Sequence, residues 1–319
     1  MKHGVSQRIE GGRHLGHITD LSSTEIRYLV DLARLEPSLL GRPLQDRGVA
    51  LIFEKPSNRT RQSMEVAVAQ LGGHPVYTRG EEIGFDVREP VEDVARIMSG
   101  YHAIIAARVF SHQIIDRLAD ASSVPVINML SDVSHPLQAL ADAKTMIEEF
   151  GAIDGMTVAY VGDYNNVARS LTEICLVLGA NVRIATPKGF GASSAEIRRL
   201  AGLGTGTVSQ TDSPEDAVRG AMAVHTDTWV SMGQESEKEE RLAVFGRYSV
   251  TAKLFELAAE GSIFMHCLPA YRGLEVEAAV IDGPASRVIE QGHNRLHTAR
   301  ASLAFLVHGV QPLPERSES

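Results

Sequence analysis

The alternation of short apolar runs with amphipathic stretches is the feature that most constrains how this chain can fold. In the first half, four apolar runs predict strands at residues 48–54, 74–78, 103–109 and 125–129. Helix-spaced apolar residues fill the intervals and predict helices at about 60–71, 90–101, 112–121 and 136–150. Strands that alternate with helices in this way indicate parallel sheets that are covered on both faces.

A second series of this kind begins after Phe150 and predicts a second domain. Its strand candidates are residues 156–162, 181–187, 207–211, 221–227 and 262–267. A chain of 319 residues is also long for a single hydrophobic core. The predicted fold class is therefore α/β, with two doubly wound parallel-sheet domains, 1–150 and 151–294, and a cleft between them. A last helix is expected at about 295–309, and the polar tail 310–319 is expected to be disordered.

The charge balance and the cysteine count argue against several classes of protein. Lys plus Arg is 31 and Asp plus Glu is 40, so the formal net charge is −9, whereas a nucleic-acid-binding surface needs clustered positive charge. No apolar run approaches the ~20 residues of a membrane span, and the N-terminus lacks the apolar region of a signal peptide. The two cysteines, Cys175 and Cys267, form no disulfide framework. We therefore expect a cytoplasmic protein that binds neither nucleic acid nor membrane.

Residues 53–66, FEKPSNRTRQSMEV, place hydroxyls and arginines where the first strand is followed by a helix. The N-terminus of a helix offers free N–H groups and a partial positive charge. Ser57 and Thr60 add hydroxyls, while Arg59 and Arg61 add charge, so the stretch predicts an oxyanion site suited to phosphate. It is not a P-loop, because no G-x-x-x-x-G-K-[ST] is present. The alternative is ordinary N-capping with surface arginines.

Three more polar side chains follow the next strands of the first half. Arg108 stands at the end of a strand, so it would share one sheet edge with residues 57–61. His135 and Gln138 open the helix after the following strand and can donate hydrogen bonds to a carbonyl oxygen. Together these residues predict one polar pocket. The alternatives are a surface salt bridge for Arg108 and a capping or packing role for His135.

The second half carries further polar motifs after its strands. GDYNN at 162–166 lacks the G-x-G-x-x-G of a dinucleotide loop, so its asparagines suggest recognition of a polar small molecule. Asp227 and Ser231 in DTWVSMGQE supply a carboxylate and a hydroxyl, and HCLP at 266–269 places Cys267 at a strand end. The cysteines and histidines lack the spacing of a zinc site. The alternatives are an Asn-rich turn and a small buried thiol.

Taken in order, these motifs resemble one family, the transcarbamoylases, and within it the ornithine branch. The series is S-x-R-T-R, Arg108, H-P-x-Q, G-D-x-N-N, D-x-W-x-S-M-G-Q-E and H-C-L-P, and the resemblance runs from about Arg13 to Val307. It implies transfer of a carbamoyl group from carbamoyl phosphate to L-ornithine, giving L-citrulline and phosphate in arginine biosynthesis, with no metal or other cofactor. It also implies a carbamoyl-phosphate domain completed by the last helix, an ornithine domain, and a homotrimer or a multiple of trimers.

The resemblance further implies roles for individual residues. The carbamoyl-phosphate site would comprise Ser57, Asn58, Arg59, Thr60, Arg108, His135, Gln138, Cys267, Leu268 and Arg295. The ornithine site would comprise Asn166, Asp227, Ser231 and Met232. The catalytic residues among them would be Arg108, His135, Asp227 and Cys267.

Four positions depart from the family's pattern within motifs that otherwise match it. Asn58 stands where Thr is usual, Arg169 and Tyr271 where His is usual, and His293 where Glu is usual. These differences leave open a carbamoyltransferase for another amine, such as putrescine, lysine or N-acetylornithine. A non-catalytic binding subunit and a nucleotide-binding oxidoreductase are the alternatives from other classes, and the missing glycine motif speaks against the second. Anabolic and catabolic use also both stay open.

Overall fold

The computed structural model of the chain describes residues 13–230 and 235–313, and within them it contains two parallel sheets. The first has the strand order β2-β1-β3-β4 and is formed by β1 (Gly48–Phe53), β2 (His74–Arg79), β3 (His102–Arg108) and β4 (Val126–Leu130). The second has the order β7-β6-β5-β8-β9 and is formed by β5 (Thr157–Val161), β6 (Asn181–Ala185), β7 (Val208–Thr211), β8 (Ala223–Thr226) and β9 (Ile263–His266). All of these strand pairings are parallel, which confirms the predicted α/β class with two doubly wound sheets.

Helices cover both faces of the first sheet because alternate side chains of its strands are apolar. Along β1, Val49, Leu51 and Phe53 belong to one buried cluster, whereas Ala50 and Ile52 belong to another. The helices of this half are α1 (Ser23–Ala33), α2 (Asn58–Gln70), α3 (Gly80–Ile83), α4 (Val91–Tyr101), α5 (His112–Ala121) and α6 (Pro136–Phe150). Of these, the single-turn α3 was not predicted from the sequence, because a four-residue helix carries no periodic pattern.

The second sheet is built in the same way and shares part of its core with the first. Val158 and Tyr160 of β5 belong to the same buried cluster as Leu51 of β1, so an apolar core is continuous between the halves. The helices of this half are α7 (Asn166–Val177), α8 (Ser194–Leu200), α9 (Pro214–Val218), α10 (Lys238–Phe245), α11 (Ala252–Phe255), α12 (Ala278–Ile281) and α13 (Val288–His308). Contacts between α6 and α7 join the two sheets.

The last helix corrects one prediction. Helix α13 begins at Val288, seven residues before the predicted start at Arg295, and ends at His308. Gly292 lies inside its first turns and hides the helical pattern, because glycine is a poor helix former. The helix packs against α1, α2 and α6 of the first half. Residues 310–313 continue without helix or strand, and the rest of the tail that we predicted to be disordered lies outside the described residues.

The strand orders explain where a site can form. In the first sheet β1 lies between β2, which follows it in the chain, and β3. In the second sheet β5 lies in the same way between β6 and β8. Loops that leave such neighbouring strands diverge and open a crevice at their carboxyl ends. Within 13–230 and 235–313, no helix combines the length and the hydropathy that crossing a membrane requires.

Candidate active site

A cavity of about 940 Å³ lies beyond the carboxyl ends of both sheets. Its walls come from the loops that follow β1, β3 and β4 in the first sheet and β5, β6, β8 and β9 in the second. These strands include the pairs beside the two switch points, β1 with β3 and β5 with β8, so the topology itself brings the predicted motifs together. Among the predicted residues, those lining the cavity are Ser57, Asn58, Arg59, Thr60, Arg108, His135, Gln138, Asn166, Asp227, Cys267, Leu268 and Arg295.

The first-half wall of the cavity is built on the start of α2. Ser57 is the N-cap of this helix, and its hydroxyl accepts a hydrogen bond from the backbone N–H of Thr60 at 3.4 Å. Phe53 of β1 is in register with Arg108 of β3, so the guanidinium of Arg108 arises beside the loop that leads into α2. The free N–H groups of the first turn, the hydroxyls and the arginines therefore face one space, as an oxyanion site requires.

Two of the arginines at this wall are buried. Arg108 and Arg295 are only 6% and 5% exposed, and within the described residues the Nε atom of each has no hydrogen-bond partner. Burial lowers the pKa of each guanidinium to about 10, and for Arg108 the charge of Arg295 adds to that effect. Both groups are still cationic at neutral pH. Two buried cations without a carboxylate partner in the described chain form a site that a bound anion would neutralise.

Arg295 reaches the cavity from α13 and organises the predicted carbamoyl side. Its two terminal nitrogens donate to the Thr60 hydroxyl at 3.2 Å and to the Gln138 carbonyl oxygen at 2.5 Å. The nitrogen that donates to Gln138 also lies 3.5 Å from Nε2 of His135. Helix α13 thus ties α2 to α6 at the point where a ligand would sit.

His135 is held as a neutral imidazole at the start of α6. Complete burial lowers its pKa well below the ordinary value, and the charges of Arg295 and Arg108 add to this. Because Arg295 can only donate, we assign Nε2 as an acceptor, which leaves a proton on Nδ1. The backbone N–H of His135 donates to the hydroxyl of Ser170 on α7 at 2.9 Å. A neutral histidine of this kind can donate a hydrogen bond to a polarised carbonyl.

The second-half wall is centred on the carboxylate of Asp227, which follows β8. One of its oxygens accepts a hydrogen bond from the Cys267 thiol at 3.0 Å, and the other accepts one from the Asn165 side chain at 2.8 Å. Burial, and then the charge of Asp227, raise the pKa of the Cys267 thiol well above its ordinary value. Cys267 is therefore a thiol at neutral pH, and Asp227 is an acceptor facing the cavity from the side opposite the arginines.

The remaining predicted site residues of the second half are Asn166, Leu268, Ser231 and Met232, and the structure describes the first two. Asn166 lines the cavity at the start of α7, and its side-chain amide donates to the backbone carbonyl of Ser131 at 2.6 Å. Leu268 has a φ of 55°, in the left-handed region, and its N–H donates to Nδ1 of His266 at 2.8 Å. The predicted ornithine ligands Ser231 and Met232 lie outside the described residues.

Three side chains could in principle bind a metal ion. Ligand atoms of Asp227, His266 and Cys267 lie within 4.8 Å of one another. Each already has a protein partner, since the thiol donates to Asp227 and Nδ1 of His266 accepts from Leu268. A metal would have to replace these hydrogen bonds and deprotonate a thiol whose pKa is raised.

The four positions that depart from the family's pattern lie in different surroundings. Asn58 is exposed at the first position of α2, and His293 is exposed on α13. Arg169 forms ion pairs with Glu173 at 3.3 Å and Glu196 at 3.0 Å. Tyr271 lines the cavity and is 53% exposed. Of the four, Asn58 and Tyr271 can contact a ligand in the cavity.

Several residues at the site escaped the sequence analysis. Ser170, Asn165 and Asp142 contact predicted site residues, and Gln291 contacts Asp142. Arg241 and Asp163 form an ion pair of 2.9 Å at the cavity wall. A usable signal existed for Asp142, because it lies one turn after Gln138 on an otherwise apolar stretch of α6. No local signal existed for Gln291, whose partners are all distant in the sequence.

Comparison with known proteins agrees with this geometry. Residues 13–148 match the family described as aspartate/ornithine carbamoyltransferase, carbamoyl-P binding domain, and residues 154–306 match its Asp/Orn binding domain. Among curated relatives, the ornithine carbamoyltransferase of Hyperthermus butylicus is 48% identical over 311 residues, which cover 93% of this chain and 98% of the relative. That of Thermus thermophilus is 45% identical over 285 residues, which cover 89% and 93%.

A solved structure shows the same likeness in three dimensions. The ornithine carbamoyltransferase from Pyrococcus furiosus superposes with a TM-score of 0.89 at 42% identity, and the match covers 94% of this chain and 99% of that one. Both halves of the chain and the order of its motifs are thus accounted for by a single family. The chain belongs to the aspartate/ornithine carbamoyltransferase family.

Proposed function

We propose that this carbamoyltransferase transfers the carbamoyl group of carbamoyl phosphate to the side-chain amine of L-ornithine, releasing L-citrulline and phosphate. One observation supports the proposal best. Two buried arginines and the hydrogen-bonded pair of Asp227 and Cys267 face each other across one cavity. An anionic donor fits the first side, and an amine fits the second. The names of the relatives support ornithine as the amine.

Carbamoyl phosphate is proposed to bind with its phosphate at the start of α2. Ser57, Asn58, Arg59 and Thr60 offer hydroxyl, amide, guanidinium and backbone donors there, and Arg108 adds a buried charge. The carbamoyl group would then lie toward His135, Gln138, Leu268 and Arg295. Donors directed at its oxygen stabilise the negative charge that develops there as the amine attacks, and one such donor is typically worth about 3–4 kcal/mol.

The acceptor must attack as an uncharged amine, although an alkyl ammonium has a pKa of ~10. Asp227 is a buried acceptor at the cavity and is the group that would receive the ammonium end of ornithine. The Cys267 thiol, held by Asp227 at 3.0 Å, supplies a polarizable neighbour rather than a nucleophile, because its pKa is raised. Asn166, Ser231 and Met232 are proposed to bind the amino-acid head. Holding both substrates in contact supplies much of the remaining rate gain.

We further propose the biological setting that the resemblance implies. The protein would act in the cytoplasm, in arginine biosynthesis, as a homotrimer or a multiple of trimers, without a cofactor. Residues 1–150, completed by the part of α13 from residue 295 onward, would form the carbamoyl-phosphate domain, and 151–294 the ornithine domain. The contacts of α13 with α1, α2 and α6 support that division. Sedimentation at several protein concentrations would test the trimer.

The test of the function is a comparison of amines. Purified protein is incubated with carbamoyl phosphate and, in separate reactions, ornithine, putrescine, lysine, N-acetylornithine and aspartate, and both phosphate and the ureido product are measured. We expect citrulline from ornithine and no product from the others. Product from another amine would mean that the protein is a carbamoyltransferase with a different acceptor. Tyr271, which lines the cavity, would then be the first position to examine. Binding of carbamoyl phosphate without turnover of any amine would favour a non-catalytic subunit.

A further inference from the structure

A buried carboxylate below the cavity belongs to none of the groups assigned so far. Asp142 lies on α6, one turn after Gln138, and its side chain is fully buried. One of its oxygens, Oδ1, accepts two hydrogen bonds, from Nε2 of Gln138 at 2.7 Å and from Nε2 of Gln291 at 2.6 Å. A buried charge is expensive unless it is hydrogen-bonded, so its retention at this place calls for a role.

The first of these hydrogen bonds fixes the orientation of an amide at the cavity. The carbonyl oxygen of Gln138 accepts from Arg295 at 2.5 Å, and its NH₂ group donates to Asp142. Since a guanidinium can only donate and a carboxylate can only accept, the two neighbours allow one orientation of the Gln138 amide. Without the carboxylate of Asp142, only the hydrogen bond from Arg295 would fix the orientation of this amide.

The second hydrogen bond reaches the loop on the opposite wall. Gln291 on α13 accepts a hydrogen bond from the backbone N–H of His266 at 3.0 Å, at the end of β9 and directly before Cys267. Its NH₂ group is shared between Asp142 and Nε2 of His225, 3.2 Å away. Asp142 therefore connects α6, α13 and β9 through two amides.

Opposing effects act on the pKa of Asp142. Burial raises the pKa of Asp142 to about 6, while the hydrogen bonds from Gln138 and Gln291 and the charge of Arg295 oppose that rise. His225, whose Nε2 lies 3.8 Å from Oδ2, stays neutral because burial lowers its pKa to about 3. Because Oδ1 of Asp142 receives two amide N–H groups, it acts as an acceptor toward both glutamines.

We propose that Asp142 is a positioning residue for carbamoyl transfer, which orients Gln138 toward the carbamoyl group and, through Gln291, holds the backbone before Cys267 and Leu268. The inference rests on the proposed function, because that function identifies carbamoyl phosphate as the ligand. It concerns the carbamoyl group only, because Ser57, Thr60 and Arg108 are placed by α2 and β3, which Asp142 does not contact through hydrogen bonds within the described residues. Binding of the phosphate part should therefore be independent of Asp142.

The test compares two ligands that differ by the carbamoyl group. Dissociation constants for carbamoyl phosphate and for inorganic phosphate are measured calorimetrically on the full chain and on Asp142→Ala, Asp142→Asn, Gln138→Ala and the double variant Gln138→Ala/Asp142→Ala. We expect Asp142→Ala to weaken carbamoyl phosphate at least tenfold and phosphate less than threefold. Asp142→Asn keeps an acceptor oxygen and should stay within threefold for both. The double variant should lose less affinity for carbamoyl phosphate than the two single losses combined, because Asp142 acts in part through Gln138.

A matched control comes from the same helix. Glu149→Gln removes an exposed carboxylate of α6 that pairs with Arg287 before α13, and it should leave both constants within twofold. Equal weakening of the two ligands by Asp142→Ala, or additive losses in the double variant, would show a general structural role and overturn the proposal. Should Asp142→Ala not fold, Asp142→Leu, which keeps the side-chain volume but has no acceptor, takes its place, and equal weakening of the two ligands by that variant would overturn the proposal. Absence of turnover in the unmodified protein would contradict the proposed function without affecting these binding constants.

Discussion

At the scale of single residues, Arg108 is the clearest case of a side chain whose surroundings call for a ligand. It is buried beside Arg295, and its Nε atom has no partner in the described chain. We expect Arg108→Leu to lower kcat/KM for carbamoyl phosphate by about 10²–10³-fold, as the loss of one transition-state donor does. Steady-state kinetics at saturating ornithine is the measurement. Arg96→Gln, which removes an exposed arginine paired with Asp93, is the control and should have no effect.

The reactivity of Cys267 is a second prediction at this scale. Burial and Asp227 raise the pKa of its thiol, and only a thiolate reacts with iodoacetamide. We expect slow alkylation at pH 7.5 and a faster reaction in Asp227→Asn, because that change removes a negative charge 3.0 Å from the sulfur. Mass spectrometry of the modified peptide measures the rate. Rapid alkylation of the unmodified protein at pH 7.5 would be inconsistent with a raised pKa.

At the scale of elements, the N-terminus of α2 combines a structural and a binding role. Ser57 is the N-cap of α2. Ser193 is the N-cap of α8, which lies away from the cavity wall formed by the first sheet. Replacing either serine by alanine should cost about 1 kcal/mol of unfolding free energy. Only Ser57→Ala should also weaken carbamoyl phosphate. Urea denaturation and calorimetric binding separate the two effects, and equal affinity in both variants would refute the oxyanion role of the cap.

Helix α13 offers a stability prediction that follows from its unexpected start. Gly292 lies inside the helix, and a Cβ atom added there would meet nothing within 4 Å. Gly292→Ala should therefore stabilise the protein by about 0.5–1 kcal/mol, because glycine loses more backbone freedom on folding. Gly204→Ala should destabilise it, since the added Cβ would lie 2.1 Å from the backbone oxygen of Leu176. Denaturation midpoints that shift in the same direction would contradict this account.

At the scale of the whole molecule, buried histidines should make the protein sensitive to mild acid. Burial lowers the pKa of seven histidines, namely His14, His17, His102, His112, His135, His225 and His297. A lowered pKa means that the unfolded chain binds more protons below pH 6.5, so stability falls as pH drops. Buried carboxyls with a raised pKa, such as Asp142, Asp163 and Glu173, act in the opposite direction but are fewer.

We therefore expect the unfolding free energy to fall between pH 6.5 and pH 5, by up to about 1.4 kcal/mol per pH unit for each net proton taken up. Urea denaturation across this range is the measurement. His225→Gln should reduce the slope, because the pKa of His225 is lowered to about 3. His308→Gln replaces an exposed side chain at the end of α13 and should leave the slope unchanged. A free energy of unfolding that is constant from pH 7 to pH 5 would contradict the prediction.

Individual elements show where prediction from the sequence succeeded and failed. The strand at Gly48–Phe53 and the helix at Pro136–Phe150 were predicted because apolar spacing is a local property of the chain. The start of α13 was missed because Gly292 interrupts the pattern, while long-range packing against α2 and α6 stabilises the helix in spite of it. Local propensity is a weak guide where tertiary contacts dominate.

The sequence by itself determined the α/β alternation, the division into two sheets and the polar residues at the strand ends, because each follows from neighbours along the chain. Only the tertiary structure decided which of those residues meet. Arg295 donates to Thr60 across 235 positions, and Gln291 donates to Asp142 across 149. Such contacts arise from the packing of α13 on the first half and leave no periodic trace in the sequence. The buried chain from Arg295 through Gln138 and Asp142 to Gln291 is therefore visible only once the helices have packed.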